Sequence, residues 1–392
     1  MKIPNGFRFA GVHSGIKKAS NTEDISLVVA DEPCVAAAVY TKNQVVAAPV
    51  VLDRERTPAS NIRAVITNSG NANACTGELG MQNALRMAAL TAEAIGADPD
   101  QVLVMSTGII GEQLPMDEVT SGIAAVTKQL GDSEDHFMAA ARGIMTTDLV
   151  AKTSFREFES SGESVQILGM AKGSGMIGPN MATMLGLVLT NAELTPEQAQ
   201  RFLTEFTDRS FNSINVDGHT STNDTVILLS SGKVPLTSDG AQEFSKLGLE
   251  TCVDLAKQIV QDGEGASHLI EISVSGATSD GDARVIAEAI ANSPLVKTAF
   301  AGNDPNWGRI VSAAGYAGPK IDVAQTKLRL NGVVLFDAGA PVAFDATKVS
   351  ADMKANRDVL VELVVGSGNG STTFWTCDLT HGYVTINAEY HT

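Results

Sequence analysis

The sequence predicts a mixed α/β protein in two halves that join near residue 182. Three observations carry this reading. Short β-branched and apolar runs alternate with segments of helical periodicity along the whole chain. The 392 residues suffice for two or more domains, at roughly 100–200 residues each. No internal repeat and no Pro/Ser-rich linker interrupts the pattern.

The elements follow in order. Ser26–Ala30, Val35–Tyr40 and Ile62–Thr67 read as strands. Met81, Leu85, Ala88, Ala92 and Ile95 recur at helical spacing and predict a helix from 81 to 95. Val102–Met105 is a short buried strand, and helical stretches follow near Asp117–Gln129 and Asp135–Ile144. Ala151–Phe158, Val165–Met170 and Thr183–Leu189 read as strands. Thr195 is an N-cap with Pro196 at N1 and Gln198 at N3, a capping box. The helix it opens shows Ala199, Phe202, Leu203 and Phe206 on one face. Val226–Ser230 is a strand and Glu243–Gln261 a long helix. Leu269–Ser275 and Arg284–Ala291 read as strand and helix, and Asp304 and Pro305 as the N-cap and N1 of another helix. Lys327–Phe336, Val359–Val365, Thr372–Asp378 and Tyr383–Asn387 read as strands and turns.

Composition narrows the function. Hydrophobic residues make up 44% and charged residues 19%, ordinary values for a globular core. The net charge of −17 opposes a role on nucleic acid or acidic membranes, which need clustered cations. No apolar run reaches the roughly 18 residues of a membrane span, and the N-terminus lacks the apolar stretch of a signal peptide. Cys34, Cys75, Cys252 and Cys377 are far apart, as expected of free thiols in a reducing cytoplasm. The six histidines are scattered, so no metal site is expected.

The most informative stretch is Lys172 to Thr183, KGSGMIGPNMAT. Gly173, Gly175 and Gly178 satisfy the dinucleotide spacing G-x-G-x-x-G after a strand. A true fingerprint then opens a helix whose N-terminus holds the pyrophosphate. Here Pro179 and Asn180 follow, then an apolar strand-like run. A loop without chemistry is the plain alternative. The third reading places the chemistry on Thr183. A threonine hydroxyl needs a base, and an N-terminal threonine carries its own α-amine. That amine has a pKa near about 7.7–8.0, so it takes the hydroxyl proton near neutral pH. The arrangement requires cleavage between Ala182 and Thr183. Attack of the hydroxyl on the preceding carbonyl gives an ester, which water hydrolyses. The small Ala182 leaves room, and the glycines supply a flexible approach. Neither a G-x-S-x-G elbow nor a G-x-x-x-x-G-K-[ST] loop is present.

Lys172 to Ala192, KGSGMIGPNMATMLGLVLTNA, resembles the self-cleavage segment of the ornithine acetyltransferase family, bifunctional glutamate N-acetyltransferase/amino-acid acetyltransferase enzymes of arginine biosynthesis. Other blocks match in order. They are Gly6-Phe7, Gly11-Val12 and Gly15-Ile-Lys17, then Asn68 to Gly77, Ser106 to Gly111 and Met145 to Asp148. Thr220 to Thr225, Asp262 to Gly265, Asn292 to Lys297, Asp304 to Arg309 and Asn387 to Tyr390 complete the set over nearly the full chain. Asn68–Gly77 is expected to be a tight loop bordering the pocket.

The resemblance implies a layered α/β sandwich similar in layout to N-terminal nucleophile hydrolases, with a smaller C-terminal α/β domain. It implies self-cleavage into an α chain, 1–182, and a β chain, 183–392, which stay together as α2β2 or larger. Thr183 would be the nucleophile, and Thr107 and Gly108 the oxyanion hole. Thr146, Lys172, Thr183, Glu264, Asn387 and Thr392 would contact substrate. Taken singly, Lys172 reads equally as a surface cation, Gly108 as a turn residue at a strand end and Glu264 as a turn residue between two glycines. Taken together in family order, the roles prevail. His219 and His391 depart from the family pattern, where an acidic residue and an arginine are more usual, which bears on substrate preference.

The implied activity moves acetyl from N2-acetylornithine to L-glutamate through acetyl-Thr183, by ping-pong kinetics, with acetyl-CoA as a second donor in bifunctional members. No cofactor, metal, nucleic acid or membrane partner is expected. The rivals are a self-cleaving aminopeptidase or amidase of similar fold, a nicotinamide-binding oxidoreductase using Gly173–Gly178, and a non-catalytic binding protein that keeps the fold.

Overall fold

The computed structural model describes residues 1–18, 22–178 and 184–389. They form two compact units. The first comprises Met1–Asn212 and His219–Ile259, the second Ser213–Gly218 and the chain from Val260 onward.

The first unit contains β1 (Phe7–Val12), β2 (Ile25–Tyr40), α1 (Ala48–Arg56), β3 (Ala59–Asn71), α2 (Gly77–Ile95) and β4 (Val102–Ile109). It continues through α3 (Met116–Val126), α4 (Glu134–Gly143), β5 (Lys152–Ser160), β6 (Glu163–Lys172), β7 (Leu185–Ala192) and α5 (Pro196–Asp208). The chain then passes through β8 (Ile214–Asn215), which belongs to the second unit, and returns with β9 (Thr225–Val234) and α6 (Ser238–Gln261).

The strands of the first unit run in the order β4-β3-β2-β9-β7-β6-β5, with β1 paired to β2. The 16-residue β2 makes this possible. Its first part pairs with β1 and β3, the register shifts between Val29 and Ala36, and its last part pairs with β9. One hydrophobic core then gathers Val28, Val65, Leu103 and Met105 from one end of the order and Leu168, Leu187 and Ile227 from the other. The sheet therefore folds over, and its two halves face each other. The alternation of strand side chains supplies the second face. Leu27, Val29, Ala64, Ile66 and Val104 point away from that core, toward Ala84, Met87 and Ile123 of α2 and α3. On the opposite side α6 lies over β6, with Leu255 and Thr251 against Gly169. Phe202 and Phe206 of α5 pack on Phe244 of α6. The layers run helix, sheet, sheet, helix, the layered α/β arrangement expected.

The capping box of α5 forms as predicted: Thr195 Oγ1 accepts the Gln198 N–H and Gln198 Oε1 accepts the Thr195 N–H. Strand β7 is buried along its whole length between β6 and β9.

The second unit contains β8, β10 (Leu269–Ala277), α7 (Asp280–Asn292), α8 (Pro294–Ala301), α9 (Trp307–Gly315), β11 (Lys327–Leu330), β12 (Val333–Asp337), β13 (Ala340–Pro341), α10 (Ala346–Ala355), β14 (Asp358–Val364), β15 (Gly370–Cys377) and α11 (His381–Glu389). Its sheet runs β13-β12-β11-β14-β10-β15-β8. Ile272, Val361, Leu363 and Phe374 form its core with Ile286, Ile290 and Phe300 of the helices.

Two sequence expectations fail here. Tyr383–Asn387 is helical, within α11. Its Val, Thr and Ile residues suggest a strand, but side chains bond back one helical turn. Thr385 Oγ1 donates to His381 O at 3.1 Å and Asn387 Nδ2 to Tyr383 O at 3.0 Å. Helix α9 starts two residues later than expected: Asn306, not Asp304, is the cap, its Oδ1 accepting the Arg309 N–H at 3.1 Å. Asp304 instead accepts from the Asn306 amide, at 2.9 Å, and holds the capping residue.

The shared core predicts a mutational contrast. Leu187→Ala removes a fully buried side chain of β7 and is expected to cost about 2–5 kcal/mol. Leu149→Ala, at a side chain 84% exposed, is expected to stay within about 0.5 kcal/mol. Chemical denaturation of the two variants checks this.

Candidate active site

The C-terminal ends of β3 and β4, the end of β6 and the starts of β7 and β9 meet through side-chain bonds. Asn223, just ahead of β9, donates from Nδ2 to Ala72 O at 2.6 Å and to Ser106 O at 2.9 Å. Its neighbour Asp224 accepts the Met184 N–H on Oδ1 at 2.9 Å. The Thr225 N–H donates to Met184 O at 3.3 Å. The chain entering β7 is thus fixed beside the end of β4.

That strand end carries Thr107, which is buried, and Gly108. Gly108 pairs with Gly70 of β3 and has φ +137°. A Cβ there would lie 2.2 Å from the Gly70 carbonyl carbon, so only glycine fits. Asn68 to Asn71 continue β3, so the expected tight loop begins only after Asn71. Asn68 and Ser106 bond to each other at 2.6 Å, which locks the two strand ends together.

Lys172 closes β6 and is buried, 2% exposed, rather than a surface cation. Its ammonium lies 3.9 Å from the Asp148 carboxylate. Asp148 is the hub of this corner. It accepts from Lys152 Nζ at 2.6 Å and from the backbone N–H groups of Gly173, at 2.6 Å, and Thr146, at 2.9 Å. Thr146 itself is half-buried, on the turn after α4. Burial alone would raise the Asp148 carboxyl, but Lys172, Lys152 and the N–H donors hold it well below the usual carboxylate range. Lys17 belongs to the same region, its stem against Gly70. Burial lowers its ammonium, while Asp24 and Asp148 oppose that and the Lys172 charge adds to it.

The glycine run is anchored here rather than free. Gly173 is bonded to Asp148, Ser174 Oγ lies 2.7 Å from Thr147 Oγ1 and Ile177 is buried. The next described element is β7, so no described helix follows the glycines as a dinucleotide fingerprint requires.

Glu264 and Asn387 come together in the second unit. Asn387 Nδ2 donates to Glu264 Oε2 at 2.9 Å, and Tyr383 on the same helix donates to Asp217 Oδ2 at 3.2 Å. Ala182, Thr183, His391 and Thr392 lie outside the described residues, and His219 is exposed. Among the described residues no three His, Cys, Asp or Glu side chains gather as a metal ion would require. No described helix is long and apolar enough to cross a membrane.

The structure adds Asp148, Lys152, Asn223 and Asp224, which carry no role in the sequence reading. Asp148, Asn223 and Asp224 lie in motif blocks. Lys152 had one signal, its position four residues after Asp148 across an apolar Leu-Val-Ala run.

The buried charges predict a pH-dependent cost. Asp148→Asn leaves Lys152 and Lys172 buried without their carboxylate, and about 3–5 kcal/mol of stability is expected to be lost at pH 7. The folded carboxyl titrates below its ordinary value, so its contribution is complete above about pH 4 and fades as pH falls toward the folded value. Denaturation of wild type and variant at descending pH should show their difference shrinking below about pH 4.

A sequence model described as the ArgJ family matches residues 8–392. The arginine biosynthesis bifunctional protein ArgJ of Rhodopirellula baltica is 52% identical, over 100% of this chain and 96% of its own. That of Geobacter sulfurreducens is 45% identical, over 99% of both chains. A crystal structure of arginine biosynthesis bifunctional protein ArgJ from Bacillus halodurans aligns with a TM-score of 0.50 and 38% identity, over 52% of this chain and 98% of that one. With agreement over nearly its whole length, this chain belongs to the ArgJ family, as its sequence blocks implied.

Proposed function

We propose that the protein is a self-cleaving acetyltransferase of arginine biosynthesis, with Thr183 as nucleophile. One observation carries the chemistry: Met184 is held by Asp224 and Thr225, while Asn223 ties the same loop to the end of β4. Met184, where the described chain enters β7, is thus tied through this loop to the strand end that carries Thr107 and Gly108.

In the cleavage step Thr183 Oγ attacks the Ala182 carbonyl carbon and the peptide nitrogen leaves as an amine. Water then hydrolyses the ester, giving an Ala182 carboxylate and a free Thr183 hydroxyl. The solved Bacillus halodurans ArgJ chain is covered 98% by about half of this one, the length a cleaved piece would have. The pieces 1–182 and 183–392 would not separate, because β7 and β9 of the second are interleaved with β6 and β2 of the first. They form an α2β2 or larger assembly.

In the transfer step the Thr183 amine takes the hydroxyl proton, and Oγ attacks the acetyl carbon of N2-acetylornithine. The Thr107 hydroxyl and Gly108 N–H receive the oxyanion. Collapse breaks the amide bond, the proton goes to the leaving nitrogen, and ornithine departs. The glutamate amine then attacks the acetyl-threonine ester, and N-acetylglutamate leaves. Lys172 suits the amino-acid carboxylate, with Asp148 keeping it in place. The family resemblance also assigns substrate contacts to Thr146, Glu264, Asn387 and Thr392. A glutamate suits the ornithine ammonium or the attacking amine. Acetyl-CoA serves as a second donor if the chain is bifunctional like the relatives' names.

Intact-mass measurement tests this. Wild-type protein should give two fragments meeting at Ala182/Thr183, and Thr183→Ala one uncut chain. Thr107→Val should lower kcat for acetyl transfer by about 10²–10³-fold, the cost of one oxyanion donor. An uncut, fully active wild type would sink the mechanism. Hydrolysis of acetylornithine without transfer to glutamate would replace the acceptor by water.

A further inference from the structure

We propose that the Asp224 carboxyl is a positioning residue for Thr183: one oxygen holds the Met184 N–H, and the other is the partner of the α-amine that cleavage creates. The inference rests on the reading of Thr183 as nucleophile. Asp224 is fully buried at the start of β9. Oδ1 accepts the Met184 N–H at 2.9 Å. Oδ2 is also buried and makes no hydrogen bond of good geometry; the Thr41 hydroxyl and the Ser221 N–H lie near the carboxyl and lower its pKa only weakly. Such an oxygen requires an explanation in a native interior. The Thr41 hydroxyl beside it is already committed to Ser221 O, at 2.7 Å. A residue spans at most about 3.3–3.6 Å of chain, so an amine one residue upstream of Met184 is a partner that covalent geometry allows for a carboxyl seated on the Met184 N–H.

The electrostatics agree with that geometry. Burial pushes the Asp224 carboxyl up to about 8, against the pull of the Met184 N–H and the Lys172 charge. At neutral pH the carboxyl of the uncut chain is therefore mostly protonated. Lys172, at the end of β6, is the charged side chain acting on it; Thr41 and Ser221 are uncharged. Cleavage adds an amine one residue from Met184. An ammonium there favours the carboxylate, and the carboxylate in turn raises the amine's pKa and orients it. A stronger, fixed base is what proton removal from the threonine hydroxyl requires.

The experiment compares wild type, Asp224→Asn and Asp224→Ala. Acetyl loading of the 183–392 fragment from N2-acetylornithine is followed by mass as a function of pH, after thermal melting shows which variants are folded. The amide of Asp224→Asn keeps an acceptor for the Met184 N–H and removes only the charge. It should load about 10- to 100-fold more slowly, the scale of a misplaced catalytic group, with KM unchanged. Its acidic limb should move down by about one pH unit, because the amine has lost its carboxylate. Cleavage itself should proceed in Asp224→Asn, because the carboxyl of the uncut chain is already mostly uncharged and the amine does not yet exist; a folded but uncut Asp224→Asn chain overturns the proposal. Formate should partly restore loading in Asp224→Ala, and this arm decides if the amide variant does not fold. Loading at the wild-type rate with an unmoved acidic limb, or without need of formate in the alanine variant, overturns the proposal. Wild-type protein that is uncut, or that accepts no acetyl group, removes the Thr183 reading itself and this inference with it.

Discussion

Strand β7 is held on both edges by backbone hydrogen bonds, antiparallel to β6 from Ile167↔Thr190 to Lys172↔Leu185, and parallel to β9. Every residue from Leu185 to Ala192 is buried. A one-residue slip would exchange the leucines that fill the inner core with the residues of the other face. The register is therefore fixed, and with it the place where the chain enters the strand. The rest of the candidate site is arranged around that entry. Asn223 and Asp224 grip it from β9, and the end of β4 is tied to the same loop.

Around this entry two carboxyl groups are driven in opposite directions by their surroundings. Asp148 sits between Lys152 and Lys172 and receives two backbone N–H groups, so it stays ionised. Asp224 receives one N–H, is equally buried and is pushed up to about 8. The difference is the number of compensating charges and donors, not the depth of burial. Such a split between two acids that both feel the Lys172 charge is how one site keeps a fixed anion and a proton-exchanging group together. It also explains why two lysines are tolerated inside the unit: Asp148 is shared between them.

The charged cluster has a cost for the fold and a use for the site. Lys172 lies at a strand end with its stem packed in the interior, so its ammonium is aimed by backbone geometry rather than by a mobile surface chain. Gly108 shows the same logic on the other side. Its φ and its contact with Gly70 leave no room for a side chain, and its N–H is positioned by pairing across β3 and β4.

The sequence by itself determined the alternation of strands and helices, the α5 capping box and, through motif blocks spread over the chain, the family. These are local patterns or ordered matches, and both are written along one dimension. It drew the face of α2 through Leu85, which is exposed, while Ala84, Met87 and Thr91 are buried instead. It misjudged α11, because β-branched residues favour a strand only when a neighbouring strand is there to pair with. It also placed the α9 cap two residues early, because Asp304 and Asn306 are both good caps and only the turn geometry chooses between them. The tertiary structure decided what the sequence left open. It showed that Lys172 is buried beside Asp148, that the glycine run is anchored and that the Asn223–Asp224 loop joins the end of β4 to the start of β7. Those facts depend on which residues the folded-over sheet brings together across intervals of up to 151 positions, and no local pattern encodes such a distance.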